Sequence, residues 1–122
     1  MPSIAARLAR RLVLLTGDEA LGARLEQALP QGWQVSRVRR IGELGEFQEV
    51  LLHRFVLVDL DAPGALETIG EIRGDMMLNI PIFCLGGDQA ARDAARLARA
   101  DRFFARDEIA ALLPKLCGQF AW

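Results

Sequence analysis

The apolar residues of this chain follow two patterns that alternate along its length. Four short apolar runs cover residues 11–15, 55–58, 80–85 and 102–105, and residues 33–38 alternate between apolar and polar side chains. Such short segments are typical of strands, whereas apolar residues recurring every three or four positions between them predict amphipathic helices. Strands that alternate with helices predict one parallel sheet with helices on both faces and right-handed crossovers.

Five helices are expected, one after each strand. Asp18 stands at an N-cap position for the first and Asp107 for the last. Pro114 falls inside the last helix, where proline is expected to kink or divide it. In the second helix the spacing places Phe47 and Leu51 on the inward face. The predicted helical segments are residues 18–29, 41–52, 64–75, 88–98 and 107–116.

Length and composition indicate one globular domain. The chain has 122 residues, of which 52% are hydrophobic and 25% charged. The sequence divides into a basic N-terminal tail or extra helix over residues 1–10 and a main domain over residues 11–122. No apolar run approaches the roughly 20 residues needed to cross a membrane.

Charge and cysteine content narrow the classes of function. A formal net charge of −1 argues against a general nucleic-acid binder. Cys84 and Cys117 lie in apolar surroundings without metal-ligand spacing, which is typical of reduced core cysteines in a cytoplasmic protein. The single histidine, His53, leaves little for Ser/His or Cys/His catalysis. We therefore expect no enzyme active site and no resident metal.

The third predicted strand carries the main candidate for chemistry. Residues 55–58 end at Asp59, and Asp61 and a Pro-Gly turn follow. Open α/β sheets keep their functional sites at the carboxyl ends of the strands, so Asp59 is placed where a site is expected. Asp61 is more typical of a turn or a helix cap.

These residues resemble a known family. Val58-Asp59-Leu60-Asp61-Ala62-Pro63-Gly64 is similar to the D-L-x-x-P-G stretch of response-regulator receiver domains, in which this Asp accepts a phosphoryl group from a histidine kinase. Ile80–Leu85 resembles the fourth receiver strand, and Ala98–Phe104 resembles the entry to the fifth. The resemblance runs from about residue 11 to residue 116. It implies a flavodoxin-like (βα)5 three-layer sandwich with strand order 2-1-3-4-5.

Of the family's five functional positions, only the acceptor Asp59 is retained outright, and the Pro position beside the Lys also differs. The acidic pair that helps to hold Mg²⁺ corresponds to Thr16 and Gly17, and neither carries a carboxylate. The Ser or Thr after the fourth strand corresponds to Gly86. The Lys after the fifth strand and the Pro that follows it correspond to Arg106 and Asp107. Arg106 keeps the positive charge, so it is expected to pair with a carboxylate or a phosphate.

Three hypotheses about function follow. The first is a degenerate receiver, or pseudo-receiver, in which Asp59 is bound to loop amides or paired with Arg106 and no Mg²⁺ is used. The second is a working receiver that is phosphorylated on Asp59 with Mg²⁺ held by an atypical site. The third is a small α/β ligand-binding protein. For the third, Thr16-Gly17-Asp18 before a helix is a weak signal for an anion-binding loop, and the charge of Asp18 acts against it.

The resemblance also indicates where a protein partner would bind. Receivers dimerise or bind partners through the helix after the fourth strand, the fifth strand and the last helix. Arg92, Arg96 and Arg99 are spaced for one stripe of that first helix, and they are either a solvated face or a docking surface for a histidine kinase, an output domain or a second copy. Phe103 falls at the family's switch aromatic, and core packing is the alternative role.

Overall fold

A computed structural model of the chain describes residues 4–122. It contains one sheet of five parallel strands in the order β2-β1-β3-β4-β5. The predicted architecture and strand order are therefore confirmed. The strands are β1 (Arg10–Leu15), β2 (Trp33–Val38), β3 (Phe55–Asp59), β4 (Ile82–Leu85) and β5 (Arg102–Phe104).

Helices separate the strands, as the sequence pattern predicts. A short 3₁₀ helix, Ile41–Leu44, precedes α3, and a π-helical turn, Glu71–Asp75, extends α4. The α-helices are α1 (Ile4–Leu8), α2 (Glu19–Ala28), α3 (Phe47–Leu51), α4 (Ala65–Gly70), α5 (Gln89–Leu97) and α6 (Ile109–Gln119). Within residues 4–122, no helix has the length and apolar character to cross a membrane. The basic segment 1–10 lies only partly within the described residues, with α1 at Ile4–Leu8.

The sheet separates two hydrophobic cores, and β3 contributes to both. All five residues of β3 are buried, because side chains alternate between the two faces of a strand that is covered on each side. Val56 and Val58 pack with residues of α3, α4 and α5, whereas Phe55 and Leu57 pack with residues of α2 and α6. Because both faces of β3 are covered, this strand lies at the centre of the molecule. Its last residue, Asp59, lies at the carboxyl edge of the sheet.

Both cysteines lie in these cores. Cys84 and Cys117 are buried, and each carries a free thiol. Burial raises the pKa of each thiol to about 12, because the apolar surroundings disfavour the thiolate. They therefore act as small hydrophobic residues, as predicted.

The second predicted helix is interrupted, which corrects the expectation for residues 41–52. Gly45 adopts φ 108° between the 3₁₀ helix and α3, a conformation that L side chains rarely adopt and that ends regular helical geometry. The break turns α3, so Phe47 and Leu51 are 46% and 52% exposed instead of facing the core. Val50 alone of α3 is fully buried.

The last helix also begins differently from the prediction. α6 starts at Ile109 and Asp107 does not cap it. Glu108 instead closes the preceding turn, where its side chain accepts a hydrogen bond from the Ala105 N–H at 2.9 Å. Pro114 lies within α6 without dividing it, so of the two predicted effects, a kink or a division, the division is wrong.

Arg99 does not belong to the α5 stripe. α5 ends at Leu97, and Arg99 adopts the left-handed φ of 76°. Its guanidinium turns back and donates to the Arg73 carbonyl at 3.2 Å. The predicted stripe is therefore reduced to Arg92 and Arg96.

The same loop is held by a buried arginine that the sequence pattern did not reveal. Arg73 donates to the Leu78 and Ile80 carbonyls at 2.8 Å each and to the Arg99 carbonyl at 3.0 Å. It also pairs with Asp101 at 2.9 Å. These contacts join the π-helical turn after α4, the segment before β4 and the loop before β5, so we call these residues the Arg73 clamp.

Candidate functional site

The candidate site lies where the loops after β1, β3, β4 and β5 meet. Asp59 is the last residue of β3 and is only 2% exposed, with Leu85 of β4 beside it in register. A buried carboxylate requires partners, because desolvation of an unpaired charge is costly. The structure supplies them to both oxygens of Asp59.

One carboxylate oxygen of Asp59 is held by Thr16. The Thr16 hydroxyl donates to Asp59 Oδ2 at 2.6 Å, and the same hydroxyl oxygen accepts the Asp18 N–H at 3.0 Å. Thr16 itself is fixed by a hydrogen bond from its N–H to the Val38 carbonyl at 3.1 Å. Thr16, at a position where the resemblance implies a carboxylate, is thus a hydrogen-bond donor to Asp59.

The second oxygen of Asp59 accepts from a loop amide and from a cation. The Asp61 N–H donates to Asp59 Oδ1 at 3.0 Å, and Arg106 Nη1 contacts the same oxygen at 2.5 Å. The sequence left open whether Asp59 would bind loop amides or pair with Arg106, and the structure contains both interactions. Both oxygens of Asp59 are therefore occupied by protein donors.

Arg106 contacts three carboxylates. Beyond Asp59, its Nη2 pairs with Asp18 Oδ2 at 2.6 Å and its Nη1 lies 3.3 Å from Asp61 Oδ2. The planar guanidinium makes this possible, because its donors diverge in a fixed fork that a lysine ammonium lacks. We call Arg106 with Asp18, Asp59 and Asp61 the Arg106 cluster.

The electrostatics of the cluster follow from these contacts. The hydrogen bond from Arg106, followed by that from the Leu21 N–H, lowers the pKa of Asp18 below its usual value. Reciprocally, the hydrogen bond to Asp59 is the largest cause of a raised pKa for Arg106. Asp18 and Arg106 therefore keep their opposite charges at physiological pH.

Asp18 has two roles, of which the sequence indicated one. Its Oδ1 accepts from the Leu21 N–H at 3.1 Å and caps α2, as predicted. Its other oxygen pairs with Arg106, a residue 88 positions away, which no local pattern could reveal. Asp61 likewise bridges loops instead of capping α4, because its Oδ1 accepts from the Gly87 N–H at 3.2 Å.

Gly86 occupies a position where a side chain would collide. Its φ is 69°, and a Cβ placed on it would overlap Asp61 Oδ2. The Ser or Thr that the resemblance expects there is therefore incompatible with the observed position of Asp61. A glycine at this position leaves space for the Asp61 carboxylate that contacts Arg106.

The predicted docking residues lie on a separate face. Phe103 is half-buried and packs against the core beneath α5, and the Arg96 guanidinium lies 4.8 Å from its ring centroid. Arg96 also pairs with Asp93 at 3.2 Å. The adjacent Leu97 is 87% exposed. On α5, the half-buried Arg92 and the exposed Arg96 thus lie near the exposed apolar side chain of Leu97.

Comparisons with known proteins agree with this architecture. No protein-family model and no curated protein sequence matches the chain. Solved structures do match: the phosphorylated cyanobacterial phytochrome response regulator RcpA has a TM-score of 0.74 at 17% identity, over 91% of this chain and 93% of that chain.

Two further receivers match over similar lengths. A response regulator from Thermotoga maritima has a TM-score of 0.71 at 15% identity, over 93% of this chain and 98% of its own. The receiver domain of a sensor histidine kinase from Pseudomonas aeruginosa, with a magnesium ion coordinated in its active-site cleft, has a TM-score of 0.68 at 18% identity, again over 93% and 98%. The chain therefore has the fold of response-regulator receiver domains.

Proposed function

We propose that this chain is a pseudo-receiver, a receiver-like signalling domain that acts by protein–protein contact without phosphorylation of Asp59. The observation that carries the proposal is the Arg106 cluster. Arg106 places a permanent positive charge against Asp59, where a receiver would use a metal ion to neutralise the charge of the transferring phosphoryl group.

The donor set does not fit Mg²⁺. This ion requires near-octahedral oxygen coordination and binds through carboxylates that are free to reach it. Here both Asp59 oxygens hold protein donors, and the carboxylates of Asp18 and Asp61 are turned toward the Arg106 guanidinium. Thr16 and Gly17 add no carboxylate. We therefore derive no chemical step through a metal.

The same contacts oppose phosphoryl transfer to Asp59. A nucleophilic oxygen must approach the phosphorus in line with the leaving group. Asp59 Oδ1 accepts two hydrogen bonds and Oδ2 accepts a short one from Thr16, so attack requires breaking at least one of them. This supports an inert carboxylate with a structural role.

The first experiment tests phosphorylation directly. The protein is incubated with acetyl phosphate and Mg²⁺, and aspartyl phosphate is measured by intact-protein mass spectrometry. We expect none above the level of Asp59→Asn. Phosphorylation that depends on Mg²⁺ and on Asp59 would refute the proposal and favour a working receiver.

A restored variant provides the positive control. Thr16→Asp, Gly17→Asp and Arg106→Lys together return the carboxylates and the lysine that the resemblance expects. We expect this variant to gain Mg²⁺-dependent labelling of Asp59, provided that its circular dichroism spectrum matches that of the wild type. If the restored variant folds but Asp59 is still not labelled, the absence of labelling in the wild type cannot be assigned to these three positions.

For the partner surface we propose α5, β5 and α6, with a histidine kinase, an output domain or a second copy as the partner. The support is the combination of Arg92 and Arg96 with the exposed Leu97. Charge reversal, Arg92→Glu with Arg96→Glu, should abolish self-association or partner binding in analytical ultracentrifugation while the melting temperature changes little. Arg24→Glu on α2 is the matched control. Unchanged association in the reversed variant would rule out this surface.

A further inference from the structure

A cleft of about 330 Å³ lies beside the Arg106 cluster, and no part of the proposed signalling function uses it. It opens between the loops that follow β1, β2 and β3, where the strand order of the sheet reverses. Open parallel sheets bind ligands at such switch points, outside the carboxyl ends of the strands. We call it the switch-point cleft; its lining residues are Thr16, Gly17, Arg39, Arg40, Ala62 and Pro63.

The charged residues that line the cleft are all positive. Two of its lining residues are arginines and none is acidic. Within residues 4–122, neither Arg39 nor Arg40, which follow β2, forms an ion pair, whereas Arg37 on β2 is paired with Glu26 at 3.0 Å. An adjoining cleft of about 260 Å³ shares Thr16 and Arg39, and its lining includes the acidic residues Asp18, Glu19 and Glu43.

The negative charge of Asp18, which would act against anion binding in this loop, is paired with Arg106. In the sequence, Asp18 follows Thr16-Gly17 directly and would repel a phosphate. In the structure Asp18 is turned toward Arg106 and does not line the switch-point cleft. Gly17 faces open space, and its N–H has no acceptor within the described part of the chain.

We infer that the switch-point cleft binds the phosphate group of a small phosphorylated metabolite, with Arg39 and Arg40 as its cationic partners. Arginine suits this role because its fork of donors matches phosphate oxygens bidentately. The volume lies at the lower end of the range for small-molecule pockets, about 300–1,000 Å³, which suits a phosphate ester of a sugar or a nucleoside. Binding of this phosphate does not require phosphorylation of Asp59.

The test uses the whole chain and four probes. Inorganic phosphate, ribose 5-phosphate, adenosine 5′-monophosphate and uncharged adenosine are titrated in turn while the amide signals of Gly17 and Ala62 are recorded by NMR. We expect saturable shifts with the three phosphate-bearing probes and none with adenosine. Tighter binding of an ester than of inorganic phosphate identifies an organic phosphate as the ligand, and equal binding identifies free phosphate.

Three variants make the result specific. Arg39→Gln with Arg40→Gln should weaken binding by roughly tenfold or more, since two charge-assisted contacts are lost. Arg24→Gln, which removes an exposed arginine on α2, should leave it unchanged. Asp59→Asn should also bind normally, which separates this cleft from phosphorylation at Asp59. Absence of saturable shifts, or equal losses in the Arg24 control, would overturn the inference while leaving the pseudo-receiver proposal untouched.

Discussion

Arg106 is the residue on which the interpretation of the site depends. It is the only side chain among residues 4–122 that contacts Asp18, Asp59 and Asp61 together. Asp59 is nearly fully buried, so its charge is tolerated only because this cation and two hydrogen-bond donors face it. Removal of the guanidinium leaves a buried carboxylate without its ionic partner.

A double-mutant cycle measures this interaction. We expect Arg106→Gln to reduce the free energy of unfolding by about 2–3 kcal/mol, because it leaves the buried Asp59 charge unbalanced. In the Asp59→Asn background the same change should cost much less, which gives a coupling energy of about 1–3 kcal/mol. Urea denaturation of the four proteins provides the values. Additive effects would show that the two side chains do not interact in solution.

His53 makes the stability of the protein depend on pH. Its Nδ1 lies 2.8 Å from the Glu49 carbonyl and its Nε2 lies 2.8 Å from the Ser36 hydroxyl. Burial lowers the pKa of His53 in the folded state, and the positive charge of Arg11 adds to this, although the Glu49 carbonyl and side chain act in the opposite direction.

The sign of the effect follows from linkage. Because the folded pKa lies below the unfolded value of about 6.5, the unfolded chain binds the proton first as the pH falls. The contribution of His53 to stability is therefore present above that value and is lost as the pH decreases through the folded pKa. Since this is the only histidine, we expect urea midpoints to fall between pH 7 and pH 5 in the wild type and to stay nearly level in His53→Gln. Equal slopes in both proteins would contradict this assignment.

At the scale of elements, the loop between α5 and β5 illustrates how a tertiary contact overrides local preference. Arg99 adopts φ 76°, a conformation that costs a side-chain-bearing residue about 1–2 kcal/mol. The Arg99 carbonyl accepts from Arg73, and the Arg99 guanidinium donates back to the Arg73 carbonyl. The Arg73 clamp thus holds the loop in a geometry that the sequence alone disfavours.

Two substitutions at Arg99 separate these effects. Arg99→Ala loses the side-chain hydrogen bond and keeps the left-handed strain, whereas Arg99→Gly loses the bond and relieves the strain. We expect the glycine variant to be more stable than the alanine variant by about 1 kcal/mol, measured by thermal and urea unfolding. An alanine variant of equal or greater stability would indicate that residue 99 does not hold a left-handed conformation in solution.

The sequence predicted elements well wherever burial alone determines them. Four consecutive apolar residues predicted that 55–58 form a strand, and the resemblance implied the strand order that places β3 at the centre of the sheet. Residues 41–52 were predicted less accurately, because the helical spacing of their apolar residues did not reveal that Gly45 would take a positive φ and turn Phe47 and Leu51 outward. The predicted cap at Asp107 was also wrong, because the side chain of Glu108 accepts the hydrogen bond that closes this turn.

The sequence predicted part of the site. The contacts that it did not predict join residues that lie far apart along the chain. The resemblance identified Asp59 and Arg106 and left their pairing as one of two open possibilities. The contribution of Asp18 was not foreseen, because its partner is far along the chain and helix capping already explained it. The Arg73 clamp was missed because a buried arginine bound mainly to carbonyls has no signature in hydrophobic periodicity.

At the scale of the whole molecule, the fold and the site support different conclusions. The sheet, its strand order and its helices are those of receiver domains, and the solved receivers match over nearly the full length of the chain. The loops at the carboxyl edge of the sheet carry an arginine among three carboxylates. The pseudo-receiver proposal therefore rests on these loops and not on the fold.

The most direct test of the closed site is an NMR titration with Mg²⁺ and beryllofluoride, which mimics the phosphoryl group on an acceptor Asp. The amide signals of Asp59, Gly86 and Arg106 are followed in the wild type and in Asp59→Asn. We predict that neither protein shows saturable shifts of these signals. Large, saturable shifts in the wild type that vanish in Asp59→Asn would contradict the account.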